Sequence, residues 1–170
     1  METSNGIKIA ILSDSHDNIP NLKKALDYCQ TENINTIIHC GDLCKTISLI
    51  ESWPKGLEAK VCFVYGNGDI LNEINSQNFP RLKIYGQTGT IFFENKKMVF
   101  THYIDKAKSL ALNQEYDYVF YGHSHKPWEE TIGKTRLINP GNLAGIYYKS
   151  TFAVLDLEKN ELSLKILEEM

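Results

Sequence analysis

The sequence contains no apolar run of membrane-spanning length: its longest apolar stretches are strand-sized, far short of the ~20 residues a spanning helix requires. Its opening residues, Met-Glu-Thr-Ser-Asn-Gly, lack the positive and apolar regions of a secretory leader, so the chain is read as cytoplasmic. Cysteine is scarce, and Cys29, Cys40, Cys44 and Cys62 are expected to be reduced and mostly buried. No basic run offsets the formal charge of -3, from 18 Lys+Arg against 21 Asp+Glu, which argues against a dedicated nucleic-acid binder. There is no low-complexity segment, internal repeat or linker, and 42% hydrophobic with 23% charged residues excludes a disordered or fibrous chain. A length of 170 residues then favours one domain, 1–170, with room for an ordinary core. Histidine is sparse too, at five residues, and the places where it falls carry the argument below.

From residue 7 to about 121, short apolar runs alternate with helix-like stretches, the pattern of a largely parallel α/β sheet. Strands are expected at 7–12, 36–39, 61–65 and 118–121. A helix should begin near Asn18 and Pro20, with Leu22, Ala25, Leu26 and Cys29 at helical spacing, and a weaker one should cover 44–53. Between 80 and 101, three short apolar runs (82–85, 90–93 and 98–100) separated by turn residues look like antiparallel hairpins. A helix near 104–113 precedes a strand-rich end, with runs at 129–132, 135–138, 151–157 and 162–167 and a hairpin turn at Asn160. Strands at both ends with helices concentrated early suggest two packed sheets flanked by helices.

Five of the apolar runs end alike. They lead into Asp14-Ser15-His16, Gly41-Asp42, Gly66-Asn67-Gly68-Asp69, His102 and Gly122-His123-Ser124-His125. In parallel α/β sheets these carboxyl ends share one edge, where ligands bind. Oxygen and imidazole donors without a required thiolate suit Mn, Fe, Zn or similar ions. Asp14, His16, Asp42, Asn67, His102, His123 and His125 make seven such side chains, more than one ion ordinarily takes from a protein. Two ions sharing one carboxylate would account for the number. Such a pair, about 3.5–4 Å apart, can clamp the oxygens of an in-line phosphoryl displacement.

Asp-x-His, Gly-Asp, Gly-Asn-x-Asp, His and Gly-His-x-His, in this order and each after a strand, resemble the calcineurin-like metallophosphoesterase superfamily. The length and compact spacing are similar to its small bacterial and archaeal phosphodiesterase branch. The match runs from 9 to 127, and Asn139-Pro140-Gly141 is similar to a further element of that branch. The resemblance implies an α/β fold, a four-layer αββα sandwich of two mixed sheets flanked by helices. It places Asp14, His16 and His125 on a first metal, Asn67, His102 and His123 on a second, and Asp42 between them, with a metal-bridging hydroxide as nucleophile. The two divalent ions are expected to be manganese first, with Ni, Co, Fe, Zn or Mg as alternatives. A small phosphodiester is the expected substrate. A protein-binding scaffold on the same fold and a nuclease are the rival readings; the complete donor set argues against the first and the missing basic stripe against the second.

Two positions depart from the family pattern. Gly68 stands where many relatives carry a His that contacts phosphate or assists the leaving group, and Tyr103 follows His102 where Gly is common. The Tyr103 ring is expected to narrow or line the pocket. His39, at a strand end but outside every motif, is read as structural, Asp17 as a surface or capping residue, and Asp69 as orienting a ligand His. Cys40 and Cys44 are one pair without a partner pair, a poor zinc signal. Trp128, Tyr147 and Tyr148 are assigned to core or a subunit interface ahead of the pocket. Exposed edge strands leave room for a homo-oligomer, which no sequence feature fixes.

Overall fold

A computed structural model describes residues 6–170; the leader-free reading of the first residues concerns 1–5 and lies outside the described residues. The first apolar run forms β1 (Lys8–Leu12), followed by α1 (Ile19–Thr31), β2 (Thr36–His39), α2 (Thr46–Ser52) and β3 (Lys60–Phe63). Next come β4 (Leu82–Ile84), β5 (Thr88–Phe93), β6 (Lys96–Thr101), α3 (Ile104–Leu112) and β7 (Tyr118–Phe120). The chain ends with β8 (Trp128–Ile132), β9 (Thr135–Asn139), β10 (Thr151–Asp156), β11 (Glu161–Ile166) and a last 3-10 turn, Leu167–Glu169. No helix among the described residues is long and apolar enough to cross a membrane.

Local chemistry sets the helix boundaries. The Asn18 side chain accepts from the Asn21 N–H at 3.2 Å and Pro20 occupies the first turn, so α1 starts where the sequence indicates. Its buried face is Leu22, Ala25, Leu26 and Cys29. Extended backbone at Lys45 delays α2, which is shorter than the 44–53 stretch anticipated.

The strands form two mixed sheets, ordered β11-β10-β1-β2-β3-β4 and β5-β6-β7-β9-β8. In the first, β1 to β4 run parallel, while β10 and β11 are antiparallel additions. In the second, β6, β7 and β9 are parallel, with β5 and β8 as antiparallel edges. The runs are apolar throughout because both faces are covered. Ala10, Leu12, Ile37, Val61 and Phe63 pack beneath α1 and α2, while Ile9, Ile11, Ile38 and Cys62 face the second sheet. Met98, Phe100, Tyr118 and Phe120 return that contact, and Val99 and Val119 turn the other way toward Ala107 and Ala111 of α3. Period-two alternation thus builds the four layers, helices–sheet–sheet–helix, that the resemblance implies.

One topological expectation fails. The 82–85 run is not part of an antiparallel hairpin: β4 pairs parallel to β3, Val61 opposite Leu82 and Phe63 opposite Ile84. The turn at Gly86 (φ 80°) carries the chain from one sheet to the other, its carbonyl accepting the Tyr65 N–H at 2.8 Å. A turn that changes sheets and a hairpin turn have the same composition, so only tertiary packing separates them. The 90–93 and 98–100 runs do form the hairpin, β5 with β6.

Candidate metal centre

All seven candidate donors lie just past strand ends, and the two sheets bring those ends to one edge. β1, β2 and β3 of the first sheet deliver Asp14, His16, Asp42 and Asn67; β6 and β7 of the second deliver His102, His123 and His125. The turns are sharp. Asp14, His16, Asp42, His123 and His125 all have left-handed backbone, with φ between 43° and 68°. Non-glycine residues avoid this region, and clusters of them mark places where tertiary structure holds strain for a purpose.

The donor atoms converge. Asp42 Oδ2 lies 3.5 Å from His16 Nε2 and 3.6 Å from His102 Nε2. Asp14 Oδ1 faces His125 Nε2 at 3.2 Å and His16 Nε2 at 3.9 Å, outside hydrogen-bond geometry, and it has no partner although it is buried. His16 Nε2 is likewise buried without a partner. Donors about 2.0–2.2 Å from a common ion sit roughly 3–3.5 Å from one another, so the separations are those of a ligand shell. Two sets have donor atoms all within 4.8 Å of one another: Asp14, His16 and His125, and Asp14, Asp42 and His102.

The tautomer of His102 makes the fit to a cation specific. Its Nδ1 lies 2.7 Å from the Cys40 carbonyl and must carry the proton that it donates there. In the neutral ring Nε2 is then a lone pair, yet it faces Asn67 Oδ1 at 3.1 Å, His123 Nδ1 at 3.2 Å and the Asp42 carboxylate. A proton on His123 could satisfy one contact; the Asp42 carboxylate remains acceptor against acceptor. A divalent cation resolves such a convergence, and imidazole with carboxylate and amide oxygen suits ions of borderline hardness.

A rigid surround fixes these atoms. The Ser13 hydroxyl donates to Asp14 Oδ2 at 2.5 Å, and the His123 N–H to the same oxygen at 3.0 Å. Burial acts to raise the Asp14 carboxyl, but the facing His125 imidazole and the Ser13 hydroxyl outweigh it and hold the group below its ordinary value. The Gly68 N–H donates to Asp42 Oδ1 at 2.6 Å, leaving Oδ2 to face the two rings. Gly122 is required by close approach: a Cβ there would stand 1.9 Å from Ser13 Oγ and 2.7 Å from Asp14 Oδ2.

Asp69 behaves differently from expectation. It contacts no candidate His; it accepts the N–H groups of Asp42 at 2.9 Å, Cys44 at 2.8 Å and Gly66 at 2.7 Å. It therefore ties the loops after β2 and β3 together. Asp17 accepts from the Ser48 hydroxyl, joining the β1 loop to α2. His39 is buried, 3.0 Å from Ser15 Oγ, and burial pushes its pKa down to about 3, which keeps the ring neutral. All four cysteines are free, three of them buried, and burial pushes Cys44 up to about 11. Cys44 is consequently a thiol at neutral pH.

Of the core and subunit-interface places expected for three aromatics, the structure excludes the first. Trp128, Tyr147 and Tyr148 are not core: they are 49%, 90% and 44% exposed. Strand alternation at the start of β8 and the open 144–149 loop turn them outward. Tyr103 packs edge-on against His102 and His123, with ring centroids 5.0 and 5.1 Å away, so it walls one side of the centre. Sequence reasoning missed Ser13 and Asn142; the latter donates to the His125 carbonyl at 3.0 Å. Ser13 stands beside Asp14 and was findable, but nothing in the sequence ties Asn142 to residue 125.

The chain matches the calcineurin-like phosphoesterase superfamily domain over residues 7–160. It is 32% identical to a phosphodiesterase of Methanocaldococcus jannaschii over 95% of this chain and all of that protein. A solved archaeal phosphodiesterase superposes with a TM-score of 0.82 at 29% identity, covering 94% of this chain and 99% of the other. The Entamoeba histolytica protein Vps29, solved with zinc, shares the fold with a TM-score of 0.67 at 21% identity, covering 93% and 96% of the two chains. With its layered sheets, and with imidazole and carboxylate donors gathered at their common edge, the chain belongs to the calcineurin-like phosphoesterase superfamily, a group of metal-dependent hydrolases.

Proposed function

We propose that this chain acts as a single domain that hydrolyses a small phosphodiester at a dinuclear metal centre. Asp14, His16 and His125 hold one divalent ion, Asn67, His102 and His123 the other, and Asp42 bridges them. The observation that carries this reading is Asp42 Oδ2, which faces one imidazole of each set at nearly equal distance, 3.5 and 3.6 Å. Two ions held there, manganese first, would neutralise phosphoryl oxygens and lower the pKa of an attacking water.

The protein's own part is positioning. The Cys40 carbonyl fixes the His102 tautomer, the Gly68 N–H fixes the Asp42 rotamer, and Ser13 with the His123 N–H fixes Asp14. Position 68 offers the substrate no side-chain proton, and a Cβ there would lie 3.2 Å from the Asp42 carboxylate. Protonation of the departing alcohol falls to solvent, which favours esters of acidic alcohols. The diester preference is supported by the phosphodiesterase of M. jannaschii, which aligns with nearly the whole chain.

The test is turnover of bis(p-nitrophenyl) phosphate with added Mn, together with elemental analysis. Two metals per chain and activity lost on chelation are expected. Metal-loaded protein that turns over neither mono- nor diesters would falsify the proposal.

A further inference from the structure

Past the carboxyl end of β7, the strand that leads to His123 and His125, opens a cavity of about 440 Å3, in the size range of small-molecule sites. Ser124, which stands between His123 and His125, forms part of its wall, and its Oγ is held by Asn139 Nδ2 at 3.0 Å. Beyond Ile104 and the buried Tyr121, the remaining wall combines two exposed aromatics, Trp128 and Tyr148, with two cations, Lys108 from α3 and Lys126, and one carboxylate, Glu130. Lys126 Nζ rides 5.3 Å above the centre of the Trp128 ring. Neither lysine is paired with a carboxylate among the described residues.

Taking the proposed centre as the place of hydrolysis, the geometry points to this cavity as the subsite for one arm of the diester, an arm carrying a planar aromatic group and a second negative charge. Each wall component has a reason. A half-exposed Trp and Tyr offer flat apolar faces at little entropic cost, and planar rings stack on such faces. Two unpaired ammonium groups supply charge-assisted donors for an anion. Glu130 accepts only and favours an aromatic edge bearing N–H or O–H donors. An uncharged alkyl arm would leave Lys108 and the Tyr148 face without partners, and Lys126 with the Trp128 ring alone. Nucleotides and simple aryl phosphates share the required chemistry.

Trp128 is one of only two tryptophans, and the other, Trp53, packs against Phe79 far along the sequence from this wall. Intrinsic fluorescence therefore reports on the cavity. The full chain, with and without Mn, is titrated with AMP, adenosine, phenyl phosphate and phenol. AMP or phenyl phosphate should quench the emission, their uncharged counterparts should bind about tenfold more weakly, and Trp128→Phe should abolish the signal. In calorimetry the K108A/K126A double variant should bind the anionic ligand about tenfold more weakly. AMP alone binding identifies a nucleotide arm; phenyl phosphate binding equally well identifies a simple aryl arm. The assignment is overturned if no Trp128-dependent quenching occurs in either metal state, if adenosine and phenol bind as well as their phosphates, or if the double variant binds unchanged. Protein that binds these ligands yet hydrolyses no ester keeps the subsite and overturns the phosphoesterase reading. Protein that hydrolyses bis(p-nitrophenyl) phosphate yet shows no quenching does the reverse.

Discussion

At Asp42 a single oxygen faces His16 and His102, while the other oxygen is occupied by the Gly68 N–H. Asp42→Ala should reduce metal content below two per chain and lower kcat by at least about a hundredfold, since even residues that only orient ligands cost 10–100-fold. Elemental analysis beside steady-state kinetics reads both; two retained metals with full activity would refute the bridging role.

His39 makes a separate residue-scale case. Its pKa falls from 6.5 to about 3 on folding because burial opposes the charge. Between these values the unfolded chain binds a proton that the folded chain refuses, so stability declines as pH drops from 6.5 toward 3. In chelator, urea midpoints at pH 5 and pH 7.5 should differ less for His39→Gln than for the parent. An equal pH dependence would show that His39 is not the titrating group.

At the scale of elements, the loops do the assembling. Asp69 gathers three N–H groups from two loops, and Asp69→Ala would strand them in a half-buried setting. An unmade hydrogen bond costs ~1–3 kcal/mol where burial is complete, so a loss of about 2–3 kcal/mol in urea unfolding and weaker metal retention are expected. Asp69→Asn keeps an acceptor and should lose less.

These loops also show what the sequence can and cannot convey. β1, β2, β3, β6 and β7 were legible because burial on both faces demands unbroken apolar residues, and the donors were legible because polar residues stood at the carboxyl end of each run. The partner of Leu82–Ile84 was not legible, since Gly86 marks a turn without saying which sheet the chain enters. The role of Asp69 was misread because a carboxylate that accepts backbone N–H groups and one that orients an imidazole carry the same sequence signal. The core was the wrong expectation for Trp128 and Tyr148 because large aromatics usually report one, and only the packed molecule shows them lining a cavity.

At the scale of the molecule, the proposed centre would draw four of its candidate donors from one sheet and three from the other, across the apolar layer that joins them. An ion shared between the sheets would bind the folded chain and have no preformed site in the unfolded one. At a hundred times its dissociation constant a bound ion adds ~2.7 kcal/mol. For a chain of this size that corresponds to a rise in Tm of about 5–10 °C, readable as the difference between Mn-loaded and chelated protein. Because both sheets must dock before the donors meet, Mn should slow unfolding and leave the folding rate nearly unchanged. Stopped-flow refolding in Mn and in chelator distinguishes this from a centre formed early.

The left-handed turns at the donor positions set stability against chemistry. His16 and His125 hold positive φ and each leaves a buried ring nitrogen without a partner. In metal-free protein, Asn or Gly at either position would relieve backbone strain of about 1 kcal/mol and spare a desolvated imidazole. His16→Asn should thus raise the urea midpoint in chelator while impairing metal binding. Selection of the metal-free chain for heat resistance alone would therefore erode its candidate ligands first. Through single substitutions, each tolerable on its own, a catalyst would become an inert body of the same shape.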